Sequence, residues 1–217
     1  MVGQRRKPGL AGLLGSLLLS LAATCHGAIV AQPQTLSADA HYAVTWVLAA
    51  ADHLGQPFAI VDKRAARIHV FDAAGTLLGT SPVLLGIAAG DTAVADIATR
   101  TPASLTRSER TTPAGRFASE PGHNDKGEAI VWVDYDAAFA IHRLRPGAAL
   151  ERRAERLASG AVDDKKISAG CVIVPVAFYD RVIRRGLGTR RGVVYVLPET
   201  RPVQSMFGAA RLALGTP

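Results

Sequence analysis

Two side chains in this sequence carry types and surroundings that suit acyl chemistry: Cys171, in the stretch ISAGCVIVP, and His142, in FAIHRL. Sulfur attacks as the thiolate, and an ordinary thiol with a pKa of about 8.5 is only a few per cent ionised at neutral pH, so it needs a base. Glycine at 170 lets the backbone turn tightly enough for successive N–H groups to converge on one spot. That arrangement holds an oxyanion while sulfur attacks a carbonyl carbon. A helix signal with Pro175 near its first turn puts a helix N-terminus close to the sulfur, which would lower its pKa. Among the other histidines, His41 and His53 fall on the solvated side of an N-terminal helix. His69 alternates out of a strand and His123 sits in a Gly-Asn loop. His142 ends a long apolar strand, and strand ends beside loops are where catalytic groups are displayed. On the residues alone, Cys171 reads equally as a nucleophile and as a small buried hydrophobe, and His142 reads first as structural.

The start of the chain bears on that choice. Arg5, Arg6 and Lys7 precede an apolar run from Leu10 to about Ala23, followed by small residues. This is the order of a secretory signal peptide, with cleavage after Gly27, Ala28 or Ala31. The run is short for a membrane span, which needs roughly 20 apolar residues; an uncleaved anchor is the alternative. The only other cysteine, Cys25, belongs to this segment. Residues 1–31 are therefore expected to be removed on export to the periplasm or cell envelope. A lone thiol would remain in a compartment that favours disulfides and oxidises unpaired thiols.

The elements that must position these groups follow from patterning. The chain has 217 residues, 48% of them hydrophobic, which suits one globular domain after the leader. The formal charge is +7, and removing Arg5, Arg6 and Lys7, the only charges before residue 32, leaves +4. No block of like charge and no interleaved aromatics point to nucleic acid. A helix is expected from Thr35 to Leu54, capped by Ser37, with Val44, Val47, Leu48 and Ala51 on one stripe. Strand-like pieces follow Pro57: FAIVD and RIHVF around a Lys-Arg turn, then TLLGTSPVLLG, GRFAS, EAIVWVDYDAAFAIH and GVVYVLPE. Residues 88–110 read as a long loop, and long loops in small domains tend to be functional. AALERRAERLASG reads as a short amphipathic helix with Leu150, Ala154 and Leu157 on one side, and VPVAFYDRVIRRGLG as a second. The tail from Thr200 is expected on the surface. The sum is a mainly β domain with a few attached helices.

Four segments resemble the L,D-transpeptidase catalytic domain, the YkuD-type fold. IVDKRAARIHVFDAAGTLLGTSPVLLG is similar to its opening strands, and RTTPAGRF (residues 110–117) to its Thr-Pro-x-Gly-x-Phe segment. AIHRL matches its Ile-His, and Ser168, Gly170 and Cys171 match its Ser-His-Gly-Cys signature. The matches keep the family's order across residues 58–198. The resemblance implies a β-sandwich catalytic domain over 58–199, after an N-terminal helical segment at 32–57 and before a tail at 200–217.

It also implies an enzyme of peptidoglycan tetrapeptide stems. Cys171 would attack the bond before the terminal D-alanine, and His142 would take the thiol proton and return it to the leaving amine. Backbone N–H groups of Gly170 and Cys171 would hold the oxyanion, with Ser168 and Ala169 shaping that turn. A carbonyl near Ala169 would orient His142, and neither metal nor cofactor is implied. Tyr135, Arg143 and Arg145 are candidates for binding substrate, the arginines through stem carboxylates. The acceptor would be a second stem, an outer-membrane lipoprotein, a D-amino acid or water. An L,D-carboxypeptidase or endopeptidase of the same fold and a non-catalytic wall-binding protein are the alternatives. Ala169 stands where the family has histidine and Ile173 where it has a polar residue. The separation of His142 and Cys171, 29 residues, is long for the family. The TTPAGRF segment is expected to have a structural role.

Overall fold

The alternating apolar pieces after Pro57 form strands, as their β-branched content predicts. In chain order these are β1 (Phe58–Asp62), β2 (Arg67–Phe71), β3 (Leu77–Pro82), β4 (Leu85–Gly86), β5 (Gly115–His123), β6 (Ala129–Asp134), β7 (Phe139–Arg143), β8 (Lys166–Ser168), β9 (Val172–Val174) and β10 (Gly192–Val196). The computed structural model describes residues 1–3, 36–147 and 149–207. The expected signal peptide with Cys25, and the last part of the expected tail, lie outside the described residues. No helix among the described residues is long and apolar enough to cross a membrane. All that follows concerns the unit that begins at Gln34.

Eight strands hydrogen-bond in the order β3-β2-β1-β10-β5-β6-β7-β9, and β4 pairs with β8 separately. The pairs β1–β10 and β7–β9 are parallel and the other neighbours in the eight-stranded order are antiparallel. The long strand β5 serves both halves. Its residues Gly115–Ser119 pair with β10, and Glu120–His123 pair with β6. The two halves share one apolar core: Ala59, Val61, Ile68, Val70, Val194 and Val196 come from one, and Val131, Ile141, Val172 and Val174 from the other. This is the mainly β architecture with attached helices expected from the sequence.

Strands β1 and β10 are buried along their whole length because both faces are covered. Their second face, with Phe58, Ile60, Val193 and Tyr195, packs against α1 (Ala38–Ala49). Ser37 caps α1 as expected, its Oγ accepting from Ala40 N at 3.0 Å. The buried stripe is Ala40, Ala43, Val44 and Val47, one turn earlier than expected. Leu48 and Ala51 are exposed, because the helix stops at Ala49 and Ala51 takes φ 49°. Past Thr200, Val203 and Phe207 are buried against the same helix, so that part of the tail is core rather than surface.

The expected second helix is shorter, α2 (Arg153–Ala158), with Leu157 buried and Leu150 fully exposed. Leu157 packs on Leu84 and Ile173. The third helical stretch runs from Val176 through a π-helical Tyr179–Ile183 to Gly186, and Tyr179 and Ile183 plug the main core. It starts after β9, so a three-residue strand separates it from Cys171. The expected helix N-terminus beside the sulfur is not there.

Candidate active site

Cys171 sits between β8 and β9 in a turn closed by its own side chains. Ser168 Oγ donates to the Cys171 carbonyl at 2.7 Å and accepts from Gly170 N at 3.0 Å. Gly170 takes φ +134°, and a Cβ there would come within 2.9 Å of the Thr111 carbonyl, so only glycine fits. Thr112, from the TTPAGRF segment, fixes this turn to the rest of the fold. Its hydroxyl donates to the Gly170 carbonyl at 2.8 Å and accepts from Gly86 N at 2.8 Å. Gly86 is equally tight, with a Cβ there 2.4 Å from the Arg110 carbonyl. Three distant segments thus meet with no spare volume, in keeping with a structural role for TTPAGRF. One consequence touches the expected oxyanion hole: the Gly170 N–H is already committed to Ser168.

The Cys171 thiol donates to the carbonyl of Ala138 at 3.6 Å, in the turn between β6 and β7. Burial pushes its pKa up, against smaller opposite effects of the Ala140 backbone and Arg145. The sulfur lines an enclosed cleft together with Ala169, Gly170, Ala137, Ala138 and Phe139. The far wall is the 88–110 loop, which contributes Ile97, Arg100, Pro102, Leu105 and Glu109. Among the described residues, Arg100 and Glu109 are the only charges lining this cleft. They pair at 2.8 Å, and Glu109 also accepts from Thr106 N at 2.7 Å. The loop is anchored at its root. Lys63, 1% exposed, donates to Asp91 Oδ1 and to the Thr112 carbonyl, both at 2.9 Å. Asp91 in turn accepts from the backbone of Glu199 and Thr200. Burial raises the Asp91 pKa, but the bonds from Thr200, Lys63 and Glu199 outweigh it and hold the carboxyl well below its usual range.

His142 lies on β7, opposite Ile173 of the parallel β9 and so two positions beyond Cys171 in register. Its Nδ1 is 2.8 Å from the carbonyl of Arg143. A carbonyl only accepts, so Nδ1 carries the proton and Nε2 keeps its lone pair, the tautomer a general base needs. The orienting carbonyl was expected near Ala169; it belongs instead to the residue next to His142. The ring is 7% exposed, and burial above all lowers its pKa to about 4. The long stretch between His142 and Cys171 contributes Arg145 and Arg153, whose charges lower it further. Among the described residues no hydrogen bond joins Cys171 to His142. At neutral pH the two are a neutral thiol, in the turn before β9, and a neutral imidazole on the adjacent β7.

The arginines expected to meet substrate carboxylates already have carboxylate partners. Arg143 pairs with Glu128 at 3.2 Å and Asp180 at 3.5 Å and lies 4.8 Å over the Tyr179 ring. Arg145 pairs with Glu128 at 2.5 Å. Tyr135 is 73% exposed, three residues before Ala138 in the β6–β7 turn. Two other histidines differ from expectation. His69 is 1% exposed, with Nδ1 2.9 Å from Thr80 Oγ1, and its pKa falls to about 4 through burial. His53 lies past the end of α1 and is buried beside the Ala73 carbonyl. Thr112, Arg100, Glu109 and the Lys63–Asp91 anchor were not picked out as site residues. Only the length of the 88–110 loop pointed to that wall.

No protein-family model and no curated protein matches the chain. Among solved structures it is similar to the catalytic domain of an L,D-transpeptidase from E. faecium, with 15% identity and a TM-score of 0.37 over 67% of this chain and 99% of that one. It is similar to an L,D-transpeptidase from Xylanimonas cellulosilytica, with 17% identity and a TM-score of 0.40 over 65% of this chain and 60% of that one. An L,D-transpeptidase from Mycobacterium smegmatis gives 16% identity and a TM-score of 0.38 over 65% and 58%. The chain thus spans 60% and 58% of the last two.

Proposed function

We propose that the chain is an exported, cysteine-dependent L,D-transpeptidase acting on peptidoglycan tetrapeptide stems. The observation that carries the reading is the Cys171 thiol in an enclosed, mostly apolar cleft, next to a strand whose histidine keeps a bare Nε2. The SAGCV and AIHRL resemblances fall on these same two residues.

The chemistry starts from the neutral pair. A seated donor turns the sulfur away from the Ala138 carbonyl toward His142. Nε2 takes the thiol proton as the S–C bond forms, so a thiolate is never stored. The backbone N–H of Cys171 faces the new oxyanion, Gly170 joining it only by releasing Ser168. The C–N bond then breaks, the proton passes to the leaving D-alanine amine, and a thioester remains. An incoming amine, from a second stem, a lipoprotein lysine or a D-amino acid, resolves it. Water in its place makes the protein a carboxypeptidase.

Incubating the purified, reduced protein with defined tetrapeptide muropeptides tests this. D-Alanine release and an adduct on Cys171 are expected, both lost in Cys171→Ala. A folded sample giving neither would refute it. The lack of a hydrogen bond between Cys171 and His142 favours one other reading, a non-catalytic wall-binding protein. That reading expects wall binding to survive Cys171→Ala with no turnover by the parent.

A further inference from the structure

We propose that Trp132 and Tyr135 form a glycan subsite, a platform for a pyranose ring of the polysaccharide strand that bears the donor peptide. The proposal rests on the transpeptidase reading of Cys171 and adds to it a second region of contact.

Trp132 belongs to β6, in register with Glu120 of β5 and Ala140 of β7. Its indole leans over Gly122. A Cβ on Gly122 would come within 2.5 Å of Trp132 Cδ1 and 2.7 Å of Nε1, so the missing side chain is the room the ring occupies. The indole is half-buried. Tyr135 follows β6 and meets it edge-on, with ring centroids 5.0 Å apart at 70°. Tyr135 is 73% exposed and held edge-on against the Trp132 ring, so an aromatic face stands fixed and open to a ligand. Two angled apolar faces with an O–H and an N–H at their edges suit a sugar. The ring's C–H face lies on the aromatic surface while its hydroxyls bond to the edges.

The platform is continuous with the cleft. Ala138 N donates to the Tyr135 carbonyl at 3.0 Å, closing the β6–β7 turn. Ala137 and Ala138 of that turn line the cleft, and the Ala138 carbonyl accepts from the Cys171 thiol. The reach also fits. The order β6-β7-β9 puts the strand of Trp132 two spacings, roughly 10 Å, from the strand that Cys171 leads into. A stem whose third residue is the acyl donor has three residues between sugar and scissile carbonyl, about 10 Å when extended. A donor acylating Cys171 therefore carries its sugar to the rim where Tyr135 and Trp132 stand.

Calorimetry in a Cys171→Ala background, which removes turnover, tests the subsite. It compares a disaccharide-tetrapeptide with the free tetrapeptide. The disaccharide ligand should bind roughly ten-fold more tightly. Tyr135→Ala should bring that ratio close to one, and Tyr135→Phe should retain most of it. Trp132→Ala is the second variant, with circular dichroism to confirm folding; Tyr135 is exposed enough that its removal leaves the core intact. A ratio of one in the parent, or an unchanged ratio in Tyr135→Ala, overturns the subsite. Turnover of free tetrapeptide by the wild type scores the enzyme reading separately. Turnover with a ratio of one sinks the glycan subsite alone. Sugar preference without turnover sinks the transpeptidase and leaves the subsite standing, and binding of neither ligand sinks both.

Discussion

The hydroxyl of Thr112 donates to the carbonyl of Gly170 at 2.8 Å, tying the TTPAGRF segment to the turn that carries Cys171. The same oxygen accepts from Gly86 N, so one buried side chain satisfies two backbone groups. Thr112→Val keeps the shape and removes both bonds, leaving two buried polar groups unpaired. A loss of about 2–4 kcal/mol is expected in urea or guanidinium unfolding, at roughly 1–3 kcal/mol per orphaned group with partial relief from water. Wild-type stability in this variant would mean the junction is held by packing alone.

Protonation of buried histidines should make the fold sensitive to mild acid. His142 and His69 both have pKa values lowered to about 4 by burial, against about 6.5 in an unfolded chain. Between these values the unfolded state binds the extra protons, so stability rises with pH across that window and is lost as pH falls from about 6.5 to about 4. The effect reaches up to about 3 kcal/mol per histidine. Melting temperatures taken from pH 7 to pH 4 should fall steadily, and His142→Gln should flatten the slope. A flat profile would contradict the burial of both rings.

The thiol should be slow to alkylate at neutral pH. An ion pair with histidine would make Cys171 react fast near pH 6. The structure predicts the reverse, because burial raises the thiol pKa and His142 stays neutral. Iodoacetamide labelling should climb only at a more alkaline pH than for an ordinary exposed thiol, and His142→Ala should leave that midpoint almost unmoved. A midpoint below pH 7 in the wild type would restore the ion pair.

The 88–110 wall should control access to the sulfur. Arg100 pairs with Glu109, and Glu109 is tied to Thr106, so the wall is shaped before any ligand arrives. Glu109→Gln should loosen it. Labelling of Cys171 at fixed high pH should accelerate several-fold, and limited proteolysis should cut between residues 91 and 110 sooner than in the parent. Global stability should hardly change, since the pair is partly exposed and solvent screens it.

Much of this molecule was readable in the linear chain. Alternating β-branched runs marked the strands, Ser37 marked the start of α1, and the length of the 88–110 stretch marked a loop with a purpose. Period and turn chemistry are local properties, and local sequence carries them. The errors lie where burial is non-local. Leu48 is a periodic neighbour of buried residues, yet only the placement of α1 on β1 and β10 decides which stripe is covered. His69 alternates outward from the main core, and the second face of β2 is buried as well.

The sequence by itself determined which groups are available: a cysteine after a glycine, a histidine at a strand end, and the order of the segments that bring them near. Tertiary structure alone decided their state. Burial, with the charges of Arg145 and Arg153, keeps His142 neutral, the Arg143 carbonyl selects its tautomer, and the thiol points to Ala138. Ser168 occupies the Gly170 N–H, and Glu128 and Asp180 occupy Arg143 and Arg145. Charge state and hydrogen-bond partner depend on distance and dielectric, which are set by residues tens of positions away in the chain. Residue identity is written in the sequence; the pKa and partner of each residue come into being only when the strands pack.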